Sequence, residues 1–367
     1  MSIIAVLQVI VGVPLLMLGA DWLVRHASRL ALAMGISALV VGLTVVAYGT
    51  SSPELAVTFL SALRGSSDLA MGNIVGSNIA NVLLVLGLSA VIGPLKVTDR
   101  AVHINIVVMI AVSCLLMVQV QDGRLTRADG VVLVVLAVAY SVVAIQLSRR
   151  LGKSRKALLT TAETVKITWR QTTYSLAAIA AGVLLLVVGA DQMVAGASKL
   201  AEWLGISSLV IGLTVVAVGT SLPELATSCW AAWRGEREIA VGNAVGSNII
   251  NILGILGLTA IAAPDGVPVP ANARDLDLPV MLAVSFASLP VLLTGYKLTR
   301  WEGILFLVYY AAYVIALYGR AVGWFTSQQS WWYLVIMAPI LVVAASAAAQ
   351  RLKNFRGIGK TNTAPDQ

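Results

Sequence analysis

The chain has 367 residues, of which 59% are hydrophobic and 11% charged, and its formal net charge is +8. Soluble domains carry about 25% charged residues, so at a mean hydropathy of +0.90 most of this chain cannot face water. The basic excess is spread over alternate loops between apolar runs, which argues against a nucleic-acid partner.

Apolar runs of about 20 residues, enough to cross a hydrocarbon core, recur along the whole chain. They cover roughly 3–23, 37–63, 68–92, 102–120, 129–147, 173–195, 207–233, 238–262, 276–296, 301–318 and 331–349. These runs are apolar all round rather than alternating, so they predict helices and not the strands of a membrane barrel. The first run has no basic stretch before it and no small-residue cleavage site, and it reads as a span rather than a signal peptide. Cys114 and Cys229 fall inside spans, and neither a disulfide nor a metal role is expected of them. His26 and His103, near span ends, read as interfacial rather than as ligands.

With the N-terminus outside, the inner loops collect nineteen Lys and Arg residues. These are Arg25, Arg29, Lys96, Arg100, Arg149, Arg150, Lys153, Arg155, Lys156, Lys166, Arg170, Arg234, Arg237, Lys297, Arg300, Arg351, Lys353, Arg356 and Lys360. The outer loops collect six: Arg64, Arg124, Arg127, Lys199, Arg274 and Arg320. The positive-inside rule then places the N-terminus outside and the C-terminus in the cytoplasm, and the expected location is the cell (inner) membrane. Trp331, Trp332 and Tyr333 open the last run at the outer face, as an aromatic belt would.

The chain repeats itself at an offset of 170. Gly42 to Ala56, GLTVVAYGTSSPELA, returns as GLTVVAVGTSLPELA from Gly212 to Ala226; GNIVGSNIAN, Gly72 to Asn81, returns as GNAVGSNIIN, Gly242 to Asn251. Over 42–93 against 212–263, 30 of 52 positions are identical, and Gly19-Ala20-Asp21 recurs as Gly189-Ala190-Asp191. Five spans precede the basic linker and five follow it. Because five is odd, the second unit must enter the membrane inverted. The expected organisation is a first repeat over 1–148 (motif 42–93), a basic cytoplasmic linker over 149–172, and a second repeat over 173–318 (motif 212–263). An extra helix over 319–350 and a polar tail over 351–367 complete it. The fold class is therefore an all-α membrane protein: two inverted-topology repeats of five transmembrane helices plus one additional C-terminal helix.

The best-matched residues are polar ones at mid-span. Pro53 removes a backbone donor and frees a carbonyl near Gly49 or Thr50, which lipid tolerates only where it lines a cavity or meets an ion. Glu54 follows at once, and a mid-bilayer charge costs about 3 kcal/mol or more unless compensated. Thr220, Ser221, Pro223 and Glu224 repeat the arrangement. Asn73, Ser77 and Asn81, spaced by four, share one helical face, and Gly76 admits a neighbouring backbone. Asn78, and then Asn243, Gly246, Ser247, Asn248 and Asn251, extend the set. Gly, Ser and Asn positions of this kind equally suit helix packing, whereas paired mid-span acids after helix-breaking prolines point to function. Asp21 and Asp191, near span ends, suit a structural or interfacial role. Carboxylates, hydroxyls, amides and carbonyls without thiolate or imidazole form a donor set for hard cations.

Two copies of G-T-S-x-P-E-L, each followed by G-N-x-x-G-S-N-x-x-N, resemble the alpha-repeats of the cation/calcium exchanger superfamily. The likeness is closest to its prokaryotic sodium/calcium exchanger branch and runs from residue 1 to about 318. It implies ten helices in two inverted halves, with four motif segments around the ions. Carried over by position, Glu54 and Glu224 bind calcium and share sodium, and Thr50 and Thr220 offer backbone carbonyls to calcium. Ser51, Ser77, Ser221 and Ser247, with the carbonyls of Ala47 and Ala217, complete the sodium sites. Asn73, Asn78, Asn81, Asn243, Asn248 and Asn251 support them. Asn251 departs from members of the superfamily that carry Asp there, which argues against potassium dependence, and the eleventh helix lies outside the ten-helix pattern. The implied activity is Ca²⁺/Na⁺ antiport by alternating access, spans one and six sliding across the core, with no cofactor and with the lipid bilayer as surroundings. The alternatives are a Ca²⁺/H⁺ antiporter of the same fold and a cation channel. No nucleophile–base pair or redox centre suggests an enzyme.

Overall fold

The computed structural model describes residues 3–34, 37–96, 100–158, 168–204, 217–271, 273–288 and 297–321. Among them, seven helices are long and apolar enough to cross a membrane, or eight when a bent pair counts as one span. The expected spans 207–233 and 276–296 are described only in part. The expected helix at 331–349 and the tail lie outside the described residues.

Helix α1 (Ile3–Met34) runs well past the expected end at residue 23. The second span is broken into α2 (Ala38–Val41), a π-helical turn (Gly42–Val46), α3 (Ala47–Thr50) and α4 (Ser52–Leu63). The third joins α5 (Ser67–Ala80), a π segment (Asn81–Leu86) and α6 (Gly87–Ile92). Then come β1 (Leu95–Lys96), α7 (Arg100–Gln119), β2 (Arg124–Leu125) and α8 (Arg127–Leu158). Helix α9 (Trp169–Trp203) opens on a capping box in which Thr168 accepts from the Gln171 amide and the Gln171 side chain accepts from the Thr168 amide. Most of the polar linker expected over 149–172 is thus helical extension of α8 and α9. Polar sequence outside the hydrocarbon does not stop a helix that no Pro or Gly cap terminates.

The second half repeats the series with α10 (Ala217–Gly219), α11 (Leu222–Trp233), α12 (Arg237–Ile250), a π segment (Asn251–Leu256) and α13 (Gly257–Ala262). It continues with β3 (Val267–Pro268), a π turn (Ala273–Asp277), α14 (Leu278–Ala287), β4 (Lys297–Leu298) and α15 (Arg300–Ala321).

Helices α1 and α9 occupy equivalent places in the two repeats, and glycines bring their backbones together. A Cβ at Gly12 would meet the Gly189 carbonyl at 2.9 Å, one at Gly19 the Gly182 carbonyl at 2.7 Å, and one at Gly196 the Ala5 carbonyl at 2.6 Å. The partner numbers fall as those of α1 rise, so the pair is antiparallel and the halves are inverted. His26 is buried at this contact, its Nδ1 3.4 Å from Ser175 Oγ and its ring edge-on to Tyr174. It is a packing residue between α1 and α9. A lone imidazole can be sheathed by a neighbouring helix that the sequence does not reveal.

The third and eighth spans form the centre. Of the apolar window in Leu69–Ile92, 78% is buried, and in Arg237–Ala262 89%, against 17% for Arg127–Gln146 among the described residues. Gly242 and Gly246 permit this packing, since Cβ atoms there would lie 2.6 Å from the Leu39 carbonyl and 2.7 Å from Leu43 Cα. The repeat image of that neighbour, expected beside Gly76, falls within 205–216, outside the described residues. The four short strands, which the apolar pattern did not announce, pair as two antiparallel ribbons, β1 with β4 and β2 with β3. Each ribbon staples a loop of one half to a loop of the other.

Candidate cation site

The site is built on two breaks. Ser51 leaves helical geometry at φ −80°, ψ 11°, and Ser221 does the same at φ −87°, ψ 5°. In each half a Pro follows in the first turn of the next helix, where its missing N–H is harmless. The first break bends the second span by 48°. The Gly49 carbonyl that Pro53 releases accepts the Ser52 hydroxyl at 2.8 Å, so it is satisfied locally instead of lining the cavity. Leu222 stands in place of Ser52 in the second half and has no hydroxyl to do this. The Ala47 carbonyl accepts the Ser51 amide at 3.0 Å and the Thr50 hydroxyl at 3.4 Å. Ala217 begins α10.

Glu54 and Glu224, at the starts of α4 and α11, are completely buried. Their partners come from both halves. Ser51 Oγ donates to Glu224 Oε1 at 2.9 Å, and Ser221 Oγ to Glu54 Oε1 at 3.4 Å. Ser77 and Ser247, one helical turn beyond Asn73 and Asn243, donate to Glu54 Oε1 and Glu224 Oε1, each at 3.4 Å. Two hydroxyls therefore hold one oxygen of each carboxylate. The other oxygens, Glu54 Oε2 and Glu224 Oε2, are buried and have no hydrogen-bond partner.

The asparagines divide into three kinds. Asn73 Nδ2 donates to the Glu54 carbonyl at 3.3 Å and to Thr58 Oγ1 at 2.9 Å, and Asn243 Nδ2 to the Glu224 carbonyl at 3.2 Å and Ser228 Oγ at 2.9 Å. Their oxygens accept from the opposite break: Thr50 Oγ1 reaches Asn243 Oδ1 at 3.0 Å and Thr220 Oγ1 reaches Asn73 Oδ1 at 3.2 Å. Asn73 and Asn243 are thus struts that fix the position of each acidic turn. Asn78 and Asn248 cross between the central helices, each donating to the other's carbonyl, at 3.4 and 3.1 Å. Their second protons point at Met281 Sδ and Met109 Sδ, weak acceptors at 3.6 and 3.4 Å. Asn81 and Asn251 open the two π segments. Asn251 Nδ2 donates to Asn78 Oδ1 at 3.0 Å, while Asn251 Oδ1 and both amide atoms of Asn81 are buried without a partner.

Thr58 and Ser228 were not singled out in the sequence, although both carry a hydroxyl and the offset of 170 pairs them. The Asn78–Asn248 crossing and the π segments left no sequence signal of their own.

Among the described residues, neither carboxylate has a cationic side chain beside it, and no three His, Cys, Asp or Glu side chains converge. Two buried carboxylates, hydroxyls and orphaned amide oxygens form a hard-cation donor set. An uncompensated pair of this kind would cost many kcal/mol.

The profile described as "Sodium/calcium exchanger protein" matches residues 4–146 and 174–319, both halves and nearly all of the described chain. The chain belongs to the sodium/calcium exchanger family. It is a multi-pass membrane antiporter that exchanges cations, Ca²⁺ among them, and not an enzyme. It is 37% identical over 289 residues to the inner membrane protein YrbG of Escherichia coli (strain K12), spanning 78% of this chain and 89% of that one. It is 36% identical over 323 residues to the putative antiporter CaxA of Alkalimonas amylolytica, 86% of this chain and 99% of that one. A solved structure of the sodium-calcium exchanger NCX_Mj superposes with a TM-score of 0.73 at 33% identity, covering 86% of this chain and all of that one.

Proposed function

We propose that this antiporter moves Ca²⁺ against Na⁺ through one shared site formed by Glu54 and Glu224. The observation that carries the reading is the pair of orphaned carboxylate oxygens, each anchored through its partner oxygen by serines from both repeats. Two negative charges balance one Ca²⁺, and the same oxygens serve Na⁺ when Ca²⁺ has left. Competition for one charge set is sufficient for exchange. Glu54 and Glu224 with the Thr50 and Thr220 carbonyls hold Ca²⁺. Ser51, Ser77, Ser221 and Ser247, with the Ala47 and Ala217 carbonyls, join the carboxylates around Na⁺. Asn73, Asn78, Asn81, Asn243, Asn248 and Asn251 support the set, and Asn251, being neutral, gives K⁺ no third charge.

The glycine contacts between α1 and α9 support their moving as one unit across the buried core. The distribution of Lys and Arg supports an N-terminus outside and a C-terminus in the cytoplasm, and the likeness to YrbG supports the cell (inner) membrane. Ca²⁺ flux into proteoliposomes, with Na⁺, K⁺ and pH gradients imposed separately, tests the reading. Flux that follows the Na⁺ gradient and needs no K⁺ is expected. Flux that ignores Na⁺ and follows pH makes the protein a Ca²⁺/H⁺ antiporter.

A further inference from the structure

Outside the site, the two repeats treat the Asp of their shared Gly-Ala-Asp segment differently. Asp21 on α1 sits at the end of α11. Its Oδ1 lies 2.6 Å from Arg234 Nη2 and accepts Trp230 Nε1–H at 3.1 Å, while its Oδ2 lies 2.8 Å from Arg25 Nη2. Arg234 also lies over the Trp230 ring, 5.7 Å from its centroid. Only 15% of the Asp21 side chain is exposed.

The offset of 170 carries Asp21 to Asp191 and Arg234 to Arg64. The image of the Asp21–Arg234 pair is therefore Asp191 on α9 with Arg64 at the end of α4. That pair is not made. Asp191 and Arg64 are both exposed and neither joins an ion pair among the described residues, and Asp191 accepts only from its neighbour Gln192, at 3.3 Å. Helix α1 lies along α11, whereas α9 has no comparable contact with α4.

Apolar packing along the α1–α11 contact is incomplete. Beside Trp230 a cavity of about 440 Å³ opens between α1, α6 and α11, lined by Leu16, Met17, Leu88, Leu225, Ala226 and Trp230. Polar contacts at one end therefore fasten a seam that is open beside Trp230, an arrangement that holds and releases without repacking a core.

We propose that Asp21 and Arg234 form a latch closing the Arg234 face of the exchanger, and that Asp191 and Arg64 form its counterpart when the opposite face closes. This rests on the alternating exchange proposed above. The latches are unequal by sequence. Leu60 stands where Trp230 does and Ala195 where Arg25 does, so Asp191 would gain one donor group where Asp21 has three. A carboxylate with three charged or ring N–H donors outcompetes one with a single donor. The protein rests with the Arg234 face closed, and the sequence difference between repeats sets that bias.

The test separates the latch from the transport reading. Hydrogen–deuterium exchange of the purified protein, without transport, reads the seam directly. Asp21→Asn and Arg234→Gln each speed amide exchange in Leu222–Trp233 by about fivefold, the population change expected for losing one well-bonded ion pair. Asp21→Glu retains the wild-type rate, and Trp230→Phe, which removes one donor, gives a smaller increase. In sided flux assays Asp21→Asn lowers the Ca²⁺ KM at the Arg234 face, and Asp191→Asn raises it. Unchanged exchange in both Asp21→Asn and Arg234→Gln, at wild-type melting temperature, overturns the latch, as do KM shifts of the same sign in Asp21→Asn and Asp191→Asn. If the wild type does not couple Ca²⁺ to Na⁺, the proposed function fails while the labelling result still decides the latch.

Discussion

Ser51 Oγ lies 2.9 Å from Glu224 Oε1, tying the helix break of one repeat to the carboxylate of the other. Its image, Ser221 to Glu54, is looser at 3.4 Å. A hydroxyl is a larger share of the ligand field of a monovalent ion than of one held by two carboxylates. Ser51→Ala is therefore expected to weaken apparent Na⁺ affinity by about three- to tenfold, the net worth of one ordinary hydrogen bond, with little change for Ca²⁺. Ser221→Ala should act the same way and more weakly. Na⁺ and Ca²⁺ titrations of flux in the same vesicles compare the two.

Glu54→Gln and Glu224→Gln should each abolish Ca²⁺ transport without preventing membrane insertion. Either change leaves a divalent ion with one counter-charge in a buried site, a loss of about 3–5 kcal/mol, or 100-fold or more in affinity. Near wild-type flux in a well-expressed variant would remove both residues from the centre of the site.

Asn251 donates to Asn78 Oδ1, which a carboxylate could not do. Asn251→Asp deletes that donor and adds a third negative charge to the buried polar set. The variant should gain a stimulation of Ca²⁺ flux by K⁺ or by protons that the native protein lacks. Flux measured with K⁺ and pH varied independently reads this, and indifference to both would mean that Asn251 lies outside the field of the ion.

Close backbone approach predicts a stability difference between two motif-region glycines. A side chain at Gly246 meets Leu43 Cα at 2.7 Å and its carbonyl at 2.8 Å, whereas one at Gly254 has ordinary contact with Ile250 Cγ2 at 3.6 Å. Gly246→Val should lower stability by about 1–3 kcal/mol or more and Gly254→Ala should be nearly neutral. Melting of the purified variants in detergent provides the comparison.

The orientation is tested by single cysteines at Ser154 and Asn362 in a background lacking Cys114 and Cys229. Both should resist an impermeant thiol reagent in intact cells. Labelling of both from outside would invert the topology.

What the sequence alone determined is whatever two copies of a motif at one offset can encode. The apolar runs announced a helical membrane protein, the odd span count implied inversion, and Pro53-Glu54 with Pro223-Glu224 marked the acidic turns. Each of these is local or periodic, and so is readable along the chain. The pairings were decided in three dimensions. Ser51 serves Glu224 and Thr50 serves Asn243, crossings between repeats that no spacing within one repeat could show. The satisfied Gly49 carbonyl, the burial of His26 and the helical start of the linker likewise depend on neighbours or on the absence of a helix stop. The difference between Asp21 and Asp191 is the clearest case. Nearly the same Gly-Ala-Asp segment is bound to an arginine in one half and open in the other. A repeated Gly-Ala-Asp permits both arrangements, and the packing of α1 against α11, with Trp230 and Arg25 where the repeat images are Leu60 and Ala195, selects the one that is made.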